Sequence, residues 1–260
     1  MREKIGDDAQ GRYWDSISDE YNGITRIDIN DFHYGPQIPG ESKLQLLPEF
    51  SAGMTALEIG CGAAQNSVWL AKLGVRCTAF DISRKQLARA QAIASEQGVT
   101  IDLRIGSFAD FRLKTLASQF DFVHSSHAIE FIENPSVAVA EMAASVKKGG
   151  RLMISTVHPI YNGDWMAVEE EDGGSEREGQ FLVDYFNPPD DIRDESGEHV
   201  VSRAYPVSSW FKWLREAGLE VTALEEPAAI ADAPYSSDDW AAHGGQLDVI
   251  PSTVIFVAKK

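Results

Sequence analysis

Short apolar runs recur along most of the chain, separated by segments of helical period. Ala56-Leu57-Glu58-Ile59, Arg76-Cys77-Thr78-Ala79-Phe80, Ile101-Asp102-Leu103-Arg104-Ile105, Phe120-Asp121-Phe122-Val123-His124 and Arg151-Leu152-Met153-Ile154-Ser155 have the length and composition of strands. Between them, Val68, Trp69, Leu70, Ala71 and Leu73 predict a helix that Gly74 stops. Ser83 and Gln86 predict a capping box, opening a helix through Leu87, Ala90 and Ile93 to Gly98. Residues 137–146 predict a further helix, closed by Gly149-Gly150. Trp210, Phe211, Trp213 and Leu214 predict another, with Ser208 or Ser209 as cap and Gly218 at its end. Residues 219–224 and 253–257 predict two final strands. Strands alternating with helices across short turns predict an α/β fold, a mostly parallel sheet with helices on both faces.

Two stretches stand outside this rhythm. Near the N-terminus, Trp14, Ile17 and Tyr21 have helical spacing, His33-Tyr34-Gly35-Pro36 predicts a turn, and Leu44, Leu46 and Leu47 predict the end of a short helix before Pro48. Residues 160–206 mix acids, Gly173-Gly174 and Pro188-Pro189 with aromatic side chains, and are too long for a plain connection. The expectation is an N-terminal helical cap segment over residues 1–50, then a domain over 51–260 with a substrate-lid insertion at about 160–206.

Composition narrows the function. The chain has 260 residues, is 43% hydrophobic and carries a formal net charge of -17. It shows no cluster of Lys and Arg, so a nucleic-acid backbone is not an expected partner. No apolar run approaches the ~18 residues of a membrane helix, so no membrane partner is expected. Two cysteines, Cys61 and Cys77, make no disulfide framework and fit a reducing compartment. A cytoplasmic protein, monomer or homodimer, is the expectation. No His/Cys/Asp cluster has metal-site spacing and no nucleophile elbow is present.

The candidate chemistry begins at Glu58-Ile59-Gly60-Cys61-Gly62-Ala63, where the first strand gives way to a helix. Gly60 and Gly62 lack a Cβ, so a ligand can approach the backbone closely. The helix that follows directs free N–H groups into the same space. Glu58 can accept from loop N–H groups or reach a ligand ammonium through water. Asp81 ends the second strand, where an acid can accept from both ribose hydroxyls of an adenosine ligand. A dinucleotide fold would place a third glycine where Gln65 stands.

As a set, these segments resemble the class I S-adenosylmethionine-dependent methyltransferases, small-molecule branch. The stretch from Leu57 to Ser67 looks like the family's first motif, Ala79-Phe80-Asp81-Ile82-Ser83 its second, and the stretch from Phe120 to Glu130 its fourth-strand motif. Val146-Lys147-Lys148-Gly149-Gly150 is similar to its turn before the fifth strand. The resemblance implies a Rossmann-like three-layer sandwich, with a seven-stranded, mostly parallel sheet and the last strand antiparallel. It implies S-adenosyl-L-methionine as cofactor and S-adenosyl-L-homocysteine as product. Gly60, Cys61, Gly62 and Ala63 would lie along the methionine portion, and Glu58 would hold the loop and the amino group. Asp81 would take the ribose hydroxyls, Ile82, Ser107 and Phe108 would surround the adenine, and Ser125 and Ser126 would meet the methionine end. The chain departs from many relatives at Ser107, where an acid is common, and at Phe131, where His is common; Asp110 is a candidate substitute for the acid.

Transfer from a sulfonium is an in-line displacement that asks mainly for positioning and exclusion of water. A base helps where the acceptor atom must lose a proton. His158, after the fifth strand, and His127 are the candidate catalytic residues. Tyr34, His33, Tyr161, Tyr185 and Phe186 are the candidate contacts to a small-molecule acceptor, and the acids Glu169, Glu170, Glu171 and Asp172 are expected on a solvated loop. The expected activity is methylation of an oxygen or nitrogen of a metabolite. The competing readings are an NAD-type oxidoreductase and a non-catalytic cofactor-binding module.

Overall fold

The computed structural model of the protein describes residues 6–111, 113–169, 176–195 and 197–260. Seven strands form the central sheet: β1 (Thr55–Ile59), β2 (Arg76–Asp81), β3 (Ile101–Ile105), β4 (Phe120–Ser126), β5 (Val146–Val157), β6 (Glu220–Glu225) and β7 (Thr253–Lys259). Their order across the sheet is β6-β7-β5-β4-β1-β2-β3. The strands from β5 to β3 are parallel, whereas β7 runs antiparallel to both β6 and β5. This is the Rossmann-like sheet, with its last strand antiparallel, that the family resemblance implied, and its mostly parallel core is the one the periodicity predicted. The order reverses beside β1, so the β1 and β4 C-terminal ends open a crevice at a topological switch point.

Both faces of the sheet are covered. One carries Leu57, Val123, Leu152, Ile154 and Phe256, packed with residues of the helices Pro135–Ser145 and Val207–Glu216. The other carries Ala56, Ala79, Phe122, Met153 and Ile255, packed with residues of the helices Gln65–Lys72 and Arg84–Glu96. Buried on both sides, these strands read as near-continuous apolar runs rather than as alternation.

Several local expectations change. β5 begins at Val146, so Gly149-Gly150 lie within a strand rather than closing a helix. The helix Val207–Glu216 has Pro206, not a serine, at its N-cap position and no side-chain cap. Ser83 Oγ does accept from the Gln86 N–H at 3.1 Å, but its own proton goes to Asp15 at 2.6 Å, and Gln86 Oε1 has no partner. Half of the capping box forms, and the other half is replaced by a tie to the N-terminal helix. The short helix near Leu44 covers Glu41–Leu44 only, because Gln45 turns left-handed; the N–H groups of Leu46 and Leu47 then donate to the Glu41 carboxylate.

The first described helix, Asp7–Ile24, contains the expected Trp14/Tyr21 face and has Asp7 and Asp8 in its first turn, where the helix dipole favours acids. The region expected to be a lid holds two hairpins. Asp164–Glu169 pairs with Glu176–Phe181, and Asp191–Glu195 pairs with Glu198–Ser202. A further two-stranded ribbon joins Thr25–Ile27 to Tyr235–Ser237. Of the acids expected on a loop, Glu170, Glu171 and Asp172 lie outside the described residues, as do Gly173 and Gly174. No helix among the described residues is long and apolar enough to cross a membrane.

Candidate active site

The turn after β1 is built by backbone constraint. Gly60, Gly62 and Ala64 all have positive φ, at 65°, 53° and 58°. A Cβ on Gly60 would come within 2.3 Å of the Ala128 methyl, so the loop after β4 presses directly on this glycine. At Gly62 a Cβ would meet nothing within 4 Å, because that side faces the open cavity. The helix Gln65–Lys72 starts without a cap of its own. Glu58 supplies one from the preceding strand: its carboxylate accepts from the Ser67 N–H at 3.1 Å and from the Ser67 hydroxyl. Burial raises the Glu58 carboxyl to about 8, against these hydrogen bonds from Ser67, which favour the carboxylate.

Asp81 closes the same turn from β2. One carboxylate oxygen accepts from the Gly62 N–H and the other from the Ser83 N–H, both at 2.8 Å. Burial pushes the Asp81 carboxyl up while these backbone donors pull it down. The Ile82 N–H is a third backbone donor to this carboxylate, and a carboxylate has about four lone-pair sites, which leaves acceptor capacity for a ligand. Asp81 therefore fixes the glycine loop and faces the cavity at once.

These groups line one cavity of about 760 Å³ at the C-terminal ends of the strands. Of the residues predicted to contact a cofactor, Glu58, Gly60, Cys61, Gly62, Ala63, Asp81, Ile82, Ser107, Phe108 and Ser126 line it. Ser125 does not: it is buried, and its hydroxyl donates to the Ile59 carbonyl at 3.0 Å, tying β4 to β1. Ser107 donates through both its N–H and its hydroxyl to Asp110, at 2.8 and 3.0 Å. Asp110 thus shapes the turn carrying Ser107 and is absent from the cavity wall.

The acceptor-side expectations divide. His33 and His127 line the cavity; His158, Tyr34, Tyr161, Tyr185 and Phe186 do not. His158 is buried and spent on structure: Nε2 meets Glu226 at 2.6 Å and Nδ1 accepts from the Ile160 N–H. Tyr34 is fully buried, packs against Phe32 and donates its hydroxyl to Glu41. Tyr161 stacks on Trp240, whose ring is the one that reaches the cavity. Tyr185 and Phe186 contact each other, and Phe186 is 76% exposed.

His33 is held by Asn66, which accepts from its N–H and donates to its carbonyl. Burial lowers its imidazole to about 3, and Nδ1 has no hydrogen-bond partner. His127, itself at positive φ, sits 3.3 Å through Nδ1 from Glu130 and 2.9 Å through Nε2 from the Thr253 hydroxyl. Glu130 is buried, lines the cavity and also accepts from the Thr156 hydroxyl.

Sequence reading missed Glu130 as a site residue, along with Tyr21, Tyr235, Arg193 and Trp240. Only Glu130 carried a local signal, three residues beyond His127 at the end of the fourth-strand motif. Tyr21 and Tyr235 join hydroxyl to hydroxyl at 2.5 Å across 214 residues of chain, a contact no local pattern encodes. Among the described residues no group of His, Cys, Asp and Glu could hold a metal ion.

Sheet order, reversed last strand and a glycine turn facing an acid on β2 define a Rossmann-like nucleoside-binding enzyme of the methyltransferase type. Residues 57–154 match the family model described as a methyltransferase domain. A ubiquinone biosynthesis O-methyltransferase from Aromatoleum aromaticum is 32% identical over 173 residues, covering 66% of this chain and 67% of that protein. One from Azoarcus sp. (strain BH72) is 27% identical over 222 residues, covering 84% and 81%. Among solved structures, an S-adenosylmethionine dependent methyltransferase from Mesorhizobium loti shares the fold with a TM-score of 0.62 at 21% identity, covering 83% of this chain and 94% of that one. The chain belongs to the class I S-adenosylmethionine-dependent methyltransferases. Its cofactor is S-adenosylmethionine, and the open space at Gly62 beside the unsatisfied lone pairs of Asp81 fits an adenosine ligand.

Proposed function

We propose that the protein methylates a hydroxyl oxygen of a small planar molecule. The observation that carries this reading is the His127–Glu130 pair, a proton acceptor on the wall of a cavity whose other walls include Trp14, Phe131 and Trp240. An O-methyltransferase must remove the acceptor proton, whereas a neutral amine already offers a lone pair. The O-methyltransferase activity named for the curated relatives agrees with this choice.

S-adenosylmethionine, when bound, supplies a methyl group activated by a positive sulfonium. Asp81 would accept from the ribose hydroxyls, Ile82 and Phe108 would pack on the adenine, and Glu58 would hold the loop under the methionine end. Gly60, Cys61, Gly62 and Ala63 would give that end a close backbone floor. With the cofactor bound, the acceptor oxygen would take the methyl carbon in line with the breaking carbon–sulfur bond, whose electron pair would stay on sulfur. The hydroxyl proton passes to the Glu130 carboxylate, which His127 Nδ1 and the Thr156 hydroxyl hold in place, while Thr253 fixes the His127 ring from Nε2. The helix Asp7–Ile24 and the insertion over about 160–206 act as covers that keep water from the reacting atoms.

Labelled S-adenosylmethionine presented with matched phenols and anilines tests the assignment. Transfer to phenols is the expected result. Transfer to the anilines with no turnover of phenols would overturn it.

A further inference from the structure

We propose that the methyl acceptor carries a carboxylate, and that Arg193 is the residue that selects it. This rests on the O-methylation reading above and specifies the substrate class of the same site: hydroxylated aromatic carboxylic acids.

Arg193 lies on the hairpin strand Asp191–Glu195 and reaches the cavity wall, where it is the sole Lys or Arg among the described lining residues. Its neighbours there are acids and aromatics. Asp191 holds it through Nε at 2.9 Å, and no hydrogen bond engages either Nη among the described residues. That pair is half-exposed and so contributes little to stability by itself. Its effect is geometric: with Nε occupied, the outer edge of the guanidinium presents two parallel N–H groups, the fork that matches a carboxylate.

The surroundings aim the fork. The guanidinium carbon sits 5.6 Å from the centre of the Phe131 ring, and Phe131 meets Trp14 edge to face at 5.1 Å. A cation on an aromatic face is held against that wall. The hairpin itself is docked beside the proposed base, since the Arg203 N–H donates to the Glu130 carbonyl at 3.0 Å. The Arg193 charge is also felt at Tyr21, Tyr161 and Tyr235, where it opposes the upward push of burial on each phenol. The wall of one cavity thus carries the positive fork and the proton-accepting pair, together with the flat side chains of Trp14, Phe131 and Trp240. A planar acid with a ring hydroxyl satisfies all three, whereas a neutral acceptor leaves the fork unused.

The test compares wild type, Arg193→Gln and Arg193→Lys. Calorimetry with S-adenosylhomocysteine present measures binding of 4-hydroxybenzoate, 3,4-dihydroxybenzoate and 4-hydroxycinnamate against their primary carboxamides. Labelled S-adenosylmethionine then measures kcat/KM on the same compounds. The expected result is an acid preference of about tenfold or more in wild type, reduced to near parity in Arg193→Gln and partly kept in Arg193→Lys. Affinity for S-adenosylhomocysteine stays unchanged in both variants, showing that they fold. Equal binding of acid and amide by wild type, failure of every acid to bind, or an acid preference that survives Arg193→Gln would overturn the proposal. Preferred binding of acids without methylation of any hydroxyl would leave Arg193 as the anion site and overturn the O-methylation reading instead.

Discussion

The two ends of the cavity are built in opposite ways. At the end proposed for the cofactor, Glu58, Gly60, Gly62, Ser67, Asp81 and Ser83 come from two adjacent strand-to-helix turns, and backbone N–H groups donating to the two carboxylates at 2.8–3.1 Å set their positions. At the end proposed for the acceptor, Tyr21, His33, His127, Arg193 and Tyr235 come from five separate stretches, and contacts such as the Tyr21–Tyr235 hydroxyl pair set their positions. The difference teaches which half can change. A cradle made of backbone is fixed once the turn forms, whereas a surface made of side chains is rewritten by substitution without disturbing the sheet. That division suits a fold that keeps one cofactor and varies its acceptor.

Variants at the two ends should therefore fail differently. The largest effect is expected at Gly60→Val, which forces a β-branched side chain into a left-handed position 2.3 Å from Ala128. A loss of about 3–5 kcal/mol in denaturant unfolding is expected, with S-adenosylhomocysteine binding abolished. Retained binding would show that the loop yields and is not the rigid end. His127→Asn and Glu130→Gln come next. Each should lower kcat by roughly 10²–10⁴ while S-adenosylhomocysteine affinity stays within a fewfold in calorimetry. A matching loss of cofactor affinity would erase the separation between the ends.

Asp81→Ala removes two backbone caps and the proposed ribose contact. A 10- to 100-fold weaker S-adenosylhomocysteine affinity is expected, about 1.4–2.7 kcal/mol, and unchanged affinity in calorimetry would break the ribose assignment.

Glu58 gives a pH signature to the cofactor end. The folded protein holds its proton more tightly than the unfolded chain, so its contribution to stability is full below the unfolded value of 4.5 and fades as pH rises toward about 8. The slope is at most about 1.4 kcal/mol per pH unit for one proton. Denaturation series from pH 5 to 8.5 should show this decline in wild type, and Glu58→Gln should lack that part of it. Ser83→Ala should have the smallest effect, about 1 kcal/mol, through loss of the Gln86 cap and the Asp15 tie. A melting temperature unchanged from wild type would show that the tie between the N-terminal helix and the cofactor end carries no energy.

What the sequence determined by itself was whatever depends on near neighbours. Strand and helix periods follow from which faces are buried, and the positive-φ turn at Gly60 and Gly62 follows from the absence of a Cβ. The acid at Asp81 is marked by its place at a strand end. These constraints act over a few residues, so they appear as spacing. The central sheet and the glycine-loop side of the cavity wall were accordingly readable, with small shifts at β5 and at the helix Val207–Glu216, where burial in the sheet and Pro206 overrode turn and cap signals.

Only the tertiary structure decided where long-range side chains went. Tyr34 and Tyr21 are both tyrosines in the first fifty residues. One is sealed against Phe32 and Glu41, and the other reaches the cavity because Tyr235 is there to receive its hydroxyl. His158 follows a strand end as the rule for ligand sites asks, yet Glu226, 68 residues on, captures it. Arg193 stands in a segment that reads as irregular, and becomes part of the site only because a hairpin carries it to Phe131. A side chain's destination depends on partners that arrive from distant segments, and that information exists only once the chain has closed around them.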